Sequence, residues 1–312
     1  MNQGGPLLVL ALCLLAPLAA GEIFYINVAS QILIAAVFAA SLNILVGYGG
    51  LVSLGHASFF GLAAYAIALL TTRWGYGHFA AILIALLFAT LVACVFGAVS
   101  LRATGIPFLM ITLALGQTLW GVAYRWADLT GGDNGITDVR RPVVLGIDLI
   151  EPTAFYLAMV GVLLATMAFL NVFVNSGLGM SLEGARDQPR RMRMLGHGVR
   201  MVQWLAFVIS GFLAAVSGIC FVYYHSYIHP HSLGLATSAE ALLMVIAGGV
   251  ATLAGPLVGA AIVVVFKMVV SAYVTRWVML LGIVFVLIVI FLPEGVVPGL
   301  LRVARRFRVG AK

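Results

Sequence analysis

Residues 79–101 read FAAILIALLFATLVACVFGAVSL, 23 positions without one charged side chain. As a helix, at about 1.5 Å per residue, this run is about 35 Å long, enough to cross a hydrocarbon core of about 30 Å. A barrel strand would alternate apolar and polar positions over about ten residues, and this run does not. The rest of the chain is built alike. Hydrophobic residues make up 63% of its 312 positions and charged residues 9%, with a mean hydropathy of +1.15. So few charges cannot cover so much apolar surface in water, so lipid must replace water around most of it. The reading is an all-α polytopic membrane protein whose residues 1–312 form a single membrane domain. The 35 glycines fit spans that pack through small residues, because lipid tails supply no hydrophobic drive between helices.

Apolar runs fall at 7–20, 29–46, 54–72, 79–101, 106–126, 153–174, 202–225, 239–252, 256–274 and 277–292, which predicts about ten spans joined by short loops. Pro107 opens one helix, where its missing N–H costs nothing. Trp74-Gly75-Tyr76-Gly77-His78 is a turn with interfacial aromatics, and Pro293 closes the last span. The run from Pro6 to Ala20 has no Lys or Arg before it and a further apolar run follows at once, so it reads as a retained span rather than a cleaved signal. Cys13, Cys94 and Cys220 all sit in apolar runs and read as small packing residues.

The formal net charge of +7 is not a nucleic-acid surface, because the cations sit in two places. Arg186, Arg190, Arg191, Arg193 and Arg200 lie in the segment 175–201, and Arg302, Arg305, Arg306, Arg308 and Lys312 in the tail 293–312. Both are cytoplasmic by the positive-inside bias. Asp128, Asp133, Asp138, Asp148 and Glu151 crowd the loop 127–152 with only Arg140 and Arg141, and that loop faces out. An even number of crossings must then separate 201 from the tail. This requires a break between 239 and 274, at Gly248-Gly249 through Gly255-Pro256, and puts both termini in the cytoplasm. The run 239–252 would be about 21 Å long as a helix, so it is tilted, longer than its apolar limits, or re-entrant.

Residues 49–57, GGLVSLGHA, and 248–256, GGVATLAGP, suggest an internal repeat. Each follows one apolar run and precedes another, and those later runs end in Thr72-Arg73-Trp74 and Thr275-Arg276-Trp277. Glycine-interrupted segments at matching places point to a transport path. Gly49, Gly50, Gly248, Gly249, Gly255 and Pro256 are therefore candidate backbone breaks. Several chemistries find no support. A Walker A loop needs Lys followed by Ser or Thr, whereas Lys267 precedes Met268 and Lys312 is terminal. No catalytic constellation and no zinc spacing appears, and His225, His229 and His231 read as interfacial polar residues rather than a metal site.

The segment 181–196, SLEGARDQPRRMRMLG, is too polar for lipid yet holds Met192, Met194 and Leu195, with Pro189 dividing it. The residues alone leave two readings open: an amphipathic helix docking on a cytoplasmic partner, or a basic loop on anionic headgroups. Four stretches extend this reading. Residues 41–61 (SLNILVGYGGLVSLGHASFFG), 128–136 (DLTGGDNGI), 185–210 ending in LAFVIS, and 238–259 (SAEALLMVIAGGVATLAGPLVG) resemble, in order, segments of the permeases of branched-chain amino acid ABC importers, and the LivM-like half in particular.

That resemblance implies an ABC importer permease fold in the bacterial inner membrane. A second, LivH-like permease would pair with this chain as a heterodimer. Two ATPase subunits would carry ATP and Mg below, a periplasmic solute-binding protein would deliver cargo above, and no cofactor would sit on this chain. It makes 183–196 the coupling helix, with Glu183, Ala185, Arg186, Asp187, Arg190, Arg191, Met194, Leu195 and Gly196 as ATPase contacts. Arg186 and Asp187 match the family's usual Arg–acid pair, while Pro189 and the extra arginines at 190–193 depart from its pattern.

Polar groups inside spans are expensive and are functional candidates by default. Asn43, Ser53, His56, Ser58, Thr112 and Gln117 are the modest ones, Asn43 also fitting a helix–helix hydrogen bond and His56 either a path lining or a cap on the glycine turn. Lys267, in AIVVVFKMVV, is the sharpest oddity. It must face a cavity or a subunit seam, pair with an acid, or reach an interface, and Glu240 is the nearest acid in an adjacent span. A path of this character suits small zwitterions with apolar side chains, branched-chain amino acids first, with urea, short amides or aromatic carboxylates as alternative cargo. A stand-alone ion-coupled carrier would need more intramembrane acids than Glu240 supplies.

Overall fold

The computed structural model describes residues 22–144 and 147–274, then positions 279–280, 282–283, 286–287, 290 and 295–299. The first predicted run with Cys13, most of the last run, Thr275-Arg276-Trp277, Pro293 and most of the tail lie outside the described residues.

The chain is helical apart from a two-residue antiparallel ladder, β1 (Val143–Val144) with β2 (Ile147–Asp148). The helices are α1 (Ile23–Asn43), α2 (Ala57–Thr72), α3 (His78–Ser100), α4 (Ile106–Arg125), the short α5 (Ala127–Thr130), α6 (Pro152–Val174), α7 (Gly177–Asp187), α8 (Pro189–Met194), α9 (Val199–His225), α10 (Leu235–Gly248) and α11 (Gly255–Tyr273). Among the described residues six are long and apolar enough to cross a membrane: α1 with the turn after it, α3, α4, α6, α9 and α11. The runs 54–72 and 239–252 form shorter helices instead, of 16 and 14 residues. Against the expected count of about ten spans, some short or broken, the described residues hold six full-length candidates and two shorter apolar helices. The chain leaves the α-helix on one side of each short helix, at 49–56 before α2 and at 226–229 before α10, where a 3-10 turn, Pro230–Leu233, leads into the helix.

The run that opened this reading, α3, shows why it needs no polar face. Ala81, Ala85, Ala89, Ala93 and Gly97 are buried at every fourth position, whereas Leu87 is 71% exposed and Leu91 64%. Small residues let the backbone come close to its neighbours, and large ones meet the lipid side. Gly97 lies against Trp204 and Phe207 of α9.

At the centre, α1 and α9 run antiparallel and are pinned at seven-residue intervals. The Ser210 hydroxyl donates to the Ser41 carbonyl at 2.6 Å, Ser217 to Ile34 at 2.8 Å, and Tyr224 to Asn27 at 3.1 Å. A period of seven keeps the contacts on one seam of two supercoiled helices. Helices α2 and α3 pack on α9, and α6, α10 and α11 pack on α1.

The break expected between Gly248 and Pro256 is present, with α10 ending at Gly248 and α11 starting at Gly255, Pro256 in its first turn. The two helices return antiparallel at backbone contact. A Cβ on Gly248 would lie 1.8 Å from the Gly255 oxygen, and one on Gly259 1.8 Å from the Met244 oxygen. Neither position admits any other residue without moving a helix. The first turns of the two short helices also meet, the Ala57 N–H donating to Ser238 Oγ at 3.0 Å.

Contacts sort the connections into two ends. One end gathers 43–50, 182–197 and 249–255. The other gathers Arg73, whose guanidinium donates to the Asp128 carbonyl, the bridge between Ile136 and Ile228, and Arg141. Sequence placed Arg141 only as a cation among acids. It closes the C-terminus of α9 instead, donating to the Tyr223 and Tyr224 carbonyls at 2.8 and 3.0 Å and stacking over Phe155 at 4.6 Å. A guanidinium suits this role because it meets the orphan carbonyls and the negative helix end together. Partial burial lowers its pKa from the ordinary arginine range.

Gly259→Val should separate α10 from α11 and cost about 1–3 kcal/mol through overpacking, read as a lowered thermal transition of the purified protein in detergent. Gly161→Ala, whose added carbon meets open space, should leave the transition unchanged or slightly raised.

Candidate functional site

Helix α7 begins where the Ser176 hydroxyl accepts the Gly179 N–H. Gln188 ends it, and Pro189, which cannot continue a helix but can start one, opens α8. Leu182 and Ala185 are buried against the bundle, and Leu182 packs on Gly49. The opposite side is open. Glu183, Asp187, Arg190, Arg191 and Gly196 are exposed, and Met194 and Leu195 are 79% and 74% exposed beside those arginines. Met194 ends α8 and Leu195 follows it, so both apolar side chains stand out beside the arginines, while α8 itself leans on α7 where Met192 meets Gly184.

Arg186 joins the two sides. Its Nε holds Asp187 Oδ1 at 2.8 Å, and Nη2 lies 3.5 Å from Glu183 Oε1. Its Nη1 reaches into the bundle and donates to the Gly47 carbonyl at 2.6 Å. That carbonyl belongs to a π-turn, Ile44–Tyr48, in which the Gly49 N–H returns to Ile44 O at 3.0 Å and Leu51 N–H to Leu45 O at 2.8 Å. Wide turns of this kind interrupt a helix without abandoning its hydrogen bonds. Gly50 follows at φ +64°, and a Cβ there would press on the Arg186 stem at 2.7 Å.

The π-turn in turn touches the second break. The Asn43 side chain acts as a peptide group, donating to the Thr252 carbonyl at 2.9 Å and accepting the Ala251 N–H at 3.1 Å. A Cβ on Gly47 would lie 2.4 Å from Asn43 Oδ1 and 2.6 Å from the Ala251 nitrogen. Thr252 was not among the candidates from sequence, although it locks this turn: its hydroxyl donates to Gly249 O at 2.7 Å and accepts the Gly255 N–H at 3.0 Å. A Thr three residues ahead of Gly-Pro is a helix-start signal that could have found it. Arg186, Gly49, Gly50, Asn43, Gly248, Gly249, Gly255 and Pro256 therefore form one contiguous assembly, and the two halves of the suggested repeat meet in it.

The other candidates separate into two groups. His56 neither caps the turn nor lines the cavity described below. It is buried, its Nε2 lies 2.8 Å from Ser41 Oγ, and its ring stacks on Phe38. Thr112 accepts the Leu54 N–H at 3.4 Å, so α4 supports the unwound stretch before α2. Ser53 Oγ, Ser58 Oγ and His56 Nδ1 are buried without a hydrogen-bond partner among the described residues, and Gln117 is half-buried on α4.

Glu240 and Lys267 stand apart from these. They face each other across α10 and α11, with Lys267 Nζ 3.0 and 3.2 Å from the two carboxylate oxygens. Together they line a cavity of about 100 Å³ between α1, α2, α9, α10 and α11, with Phe38, Phe60, Phe221 and Met244 among its apolar lining. At the opposite end of the bundle from Arg186, His225, Tyr227, His229 and His231 form a run of ring contacts. Burial, and then His231, hold the His229 imidazole below its ordinary pKa. Among the described residues no group of three or more acid, histidine or cysteine side chains converges.

The family model described as "Branched-chain amino acid transport system / permease component" matches residues 24–291. The chain is 27% identical to the high-affinity branched-chain amino acid transport system permease protein LivM of Escherichia coli, over 88% of this chain and 70% of that protein. It is 25% identical over the same shares to LivM of Salmonella typhimurium. It is also 27% identical to the autoinducer 2 import system permease protein LsrC of Salmonella paratyphi B, over 55% of this chain and 48% of that one. No solved structure matches the chain. With that match across most of its length, the chain belongs to the family of branched-chain amino acid transport system permease components.

Proposed function

We propose that this chain is one membrane-spanning subunit of a bacterial ABC importer for branched-chain or similar hydrophobic amino acids, a single permease domain in the inner membrane. In this reading a second, homologous permease completes the channel. Two ATPase subunits, carrying ATP and Mg, dock on α7 and α8 from the cytoplasm, and a periplasmic binding protein delivers cargo to the loop 127–152. Ten spans with both termini inside satisfy the charge bias, because the Arg-rich segment 175–201 and the Arg-rich tail 293–312 then share the cytoplasmic side.

The observation that carries the proposal is Arg186, one side chain bonded at once to the exposed docking face and to the backbone of a broken span. Closure of the ATPases moves the knob formed by Met194 and Leu195. Arg186 passes that displacement to the Gly47 carbonyl. Gly47 is packed without clearance against Asn43 and Ala251, so the turn between α10 and α11 follows. Those two helices carry Glu240 and Lys267 along the path. Tightly packed elements transmit such shifts because they have discrete arrangements rather than continuous give. The likeness to LsrC, a permease for autoinducer 2 import, favours a second reading for the cargo alone: the same importer type serving another small polar solute.

Arg186→Ala should lower amino acid uptake by the complete importer in proteoliposomes by about tenfold, the upper range for a coupling residue, while the ATPase subunits still co-purify. Met194→Ala with Leu195→Ala should instead lose the ATPases from the complex. In a background without native cysteines, Cys at Asp133 should react with an impermeant maleimide on intact cells and Cys at Arg193 only after lysis. Labelling of the Arg193 position from outside would reverse the assignment of sides.

A further inference from the structure

We propose that the cavity between α1, α2, α9, α10 and α11 is a binding site for a zwitterion of amino-acid size with an apolar side chain, Lys267 taking its carboxylate and Glu240 its ammonium. The proposal rests on the importer reading above and names the place where cargo pauses inside the permease.

Three observations converge on it. First, the charges are costly where they are. Lys267 and Glu240 lie on apolar helices, and their attraction offsets a desolvation that a membrane makes severe. The pair is not needed to join α10 to α11, since those helices already meet through backbone at Gly248 and Gly259. Second, the pair is open to the cavity rather than sealed, with side-chain exposures of 41% for Lys267 and 23% for Glu240. Third, the remaining wall is largely apolar, Phe38, Phe60, Phe221 and Met244 among it, with Gln31, Tyr224, His225 and Thr237 as its other polar members. At about 100 Å³ the space takes several times the roughly 10–15 Å³ that one water needs, which is the scale of a small amino acid.

The selectivity follows from charge balance. In the empty site each charge neutralises the other. A zwitterion can enter by exchange, its carboxylate replacing Glu240 at Lys267 Nζ and its ammonium replacing Lys267 at the Glu240 oxygens, so one ion pair becomes two and the net charge stays zero. A solute with a single charge must open the pair and forms only one ion pair in exchange, so it gains nothing over the empty site. An uncharged solute gains nothing from either group. Apolar side chains are favoured because most of the remaining wall is aromatic and aliphatic. The site is also tied to the proposed drive: Glu240 and Lys267 stand on the two helices that leave the turn held by Asn43 and Thr252, so shifting that turn moves the pair relative to the rest of the cavity wall.

The test uses the complete permease–ATPase complex in nanodiscs, without binding protein, and equilibrium binding of radiolabelled leucine. Wild type should bind leucine, with 4-methylpentanoate and 3-methylbutylamine, which each keep one charge, competing at least tenfold more weakly. Lys267→Met and Glu240→Gln should each weaken leucine at least tenfold. Lys267→Met should shift preference toward the amine and Glu240→Gln toward the acid, an exchange of selectivity that misfolding does not produce. Undiminished leucine binding by the double variant would make the pair structural only and overturn the proposal, as would absence of leucine binding to a wild-type complex that transports it. ATPase co-purification and binding-protein-stimulated ATP hydrolysis report on the importer reading separately. Their loss in wild type would remove that reading, whereas their retention with pair-independent binding would remove only the site.

Discussion

A peptide group that leaves a helix inside a bilayer has no water to bond with, so a broken span survives only where protein supplies each missing partner. That constraint organises this chain. The stretch after α1 leaves the helix by a π-turn that keeps its own bonds. It borrows Arg186 for the Gly47 carbonyl and Thr112 for the Leu54 N–H, and the first turn of α2 finds Ser238. The turn between α10 and α11 borrows Asn43 for two groups and Thr252 for two more. Each break is satisfied partly by its own residues and partly by a side chain from elsewhere in the bundle, Arg186 for one and Asn43 for the other. Moving one supporting element therefore exposes or repairs hydrogen bonds in another, and this makes the breaks natural points for a switch.

The rest of the bundle provides a frame against which such a switch could act. The α1–α9 seam is fixed by hydrogen bonds to carbonyls at Asn27, Ile34 and Ser41. Its neighbour α3 docks through a stripe of alanines ending at Gly97. These contacts are backbone-close and leave little room to slide. The α10–α11 hairpin differs in kind. It packs chiefly on α1, meets α2 where the Ala57 N–H bonds Ser238, and is held at its turn by the Asn43 amide, its two helices clamped together at Gly248 and Gly259.

Much of this was readable before any coordinates. Runs without charge announce helices that face lipid, and the parity of the Arg-rich segments required a break at Gly248 to Pro256, where the structure has one. The nearest acid to Lys267 within the apolar runs was Glu240, and the two are bonded. The short length of α2 was not readable, because 54–72 is as apolar as a full span and its first residues are unwound by packing rather than by composition. Nor was the seven-residue ladder of Ser210, Ser217 and Tyr224. A serine in a span usually bonds its own preceding turn, as Ser30 does with Ile26, and nothing in the sequence marks those that reach across to another helix. Arg141 was hidden by its acidic neighbours, since its partners are carbonyls and an aromatic ring rather than carboxylates.

The two unusual cations, Arg186 and Lys267, answer one problem at opposite depths. Each is a charge whose desolvation would be prohibitive if it stood alone. Each is held by acids on its own or a neighbouring helix: Arg186 by Glu183 and Asp187, Lys267 by Glu240. Arg186 retains a donor to spare, and it gives that donor to a broken span. Lys267 has its acid beside a cavity that both side chains line. A permanently satisfied charge is inert, and an unsatisfied one would not be tolerated. Charges that are neutralised locally yet still open to a second partner can respond to events at either end of the bundle, and the backbone turn held by Asn43 lies between them.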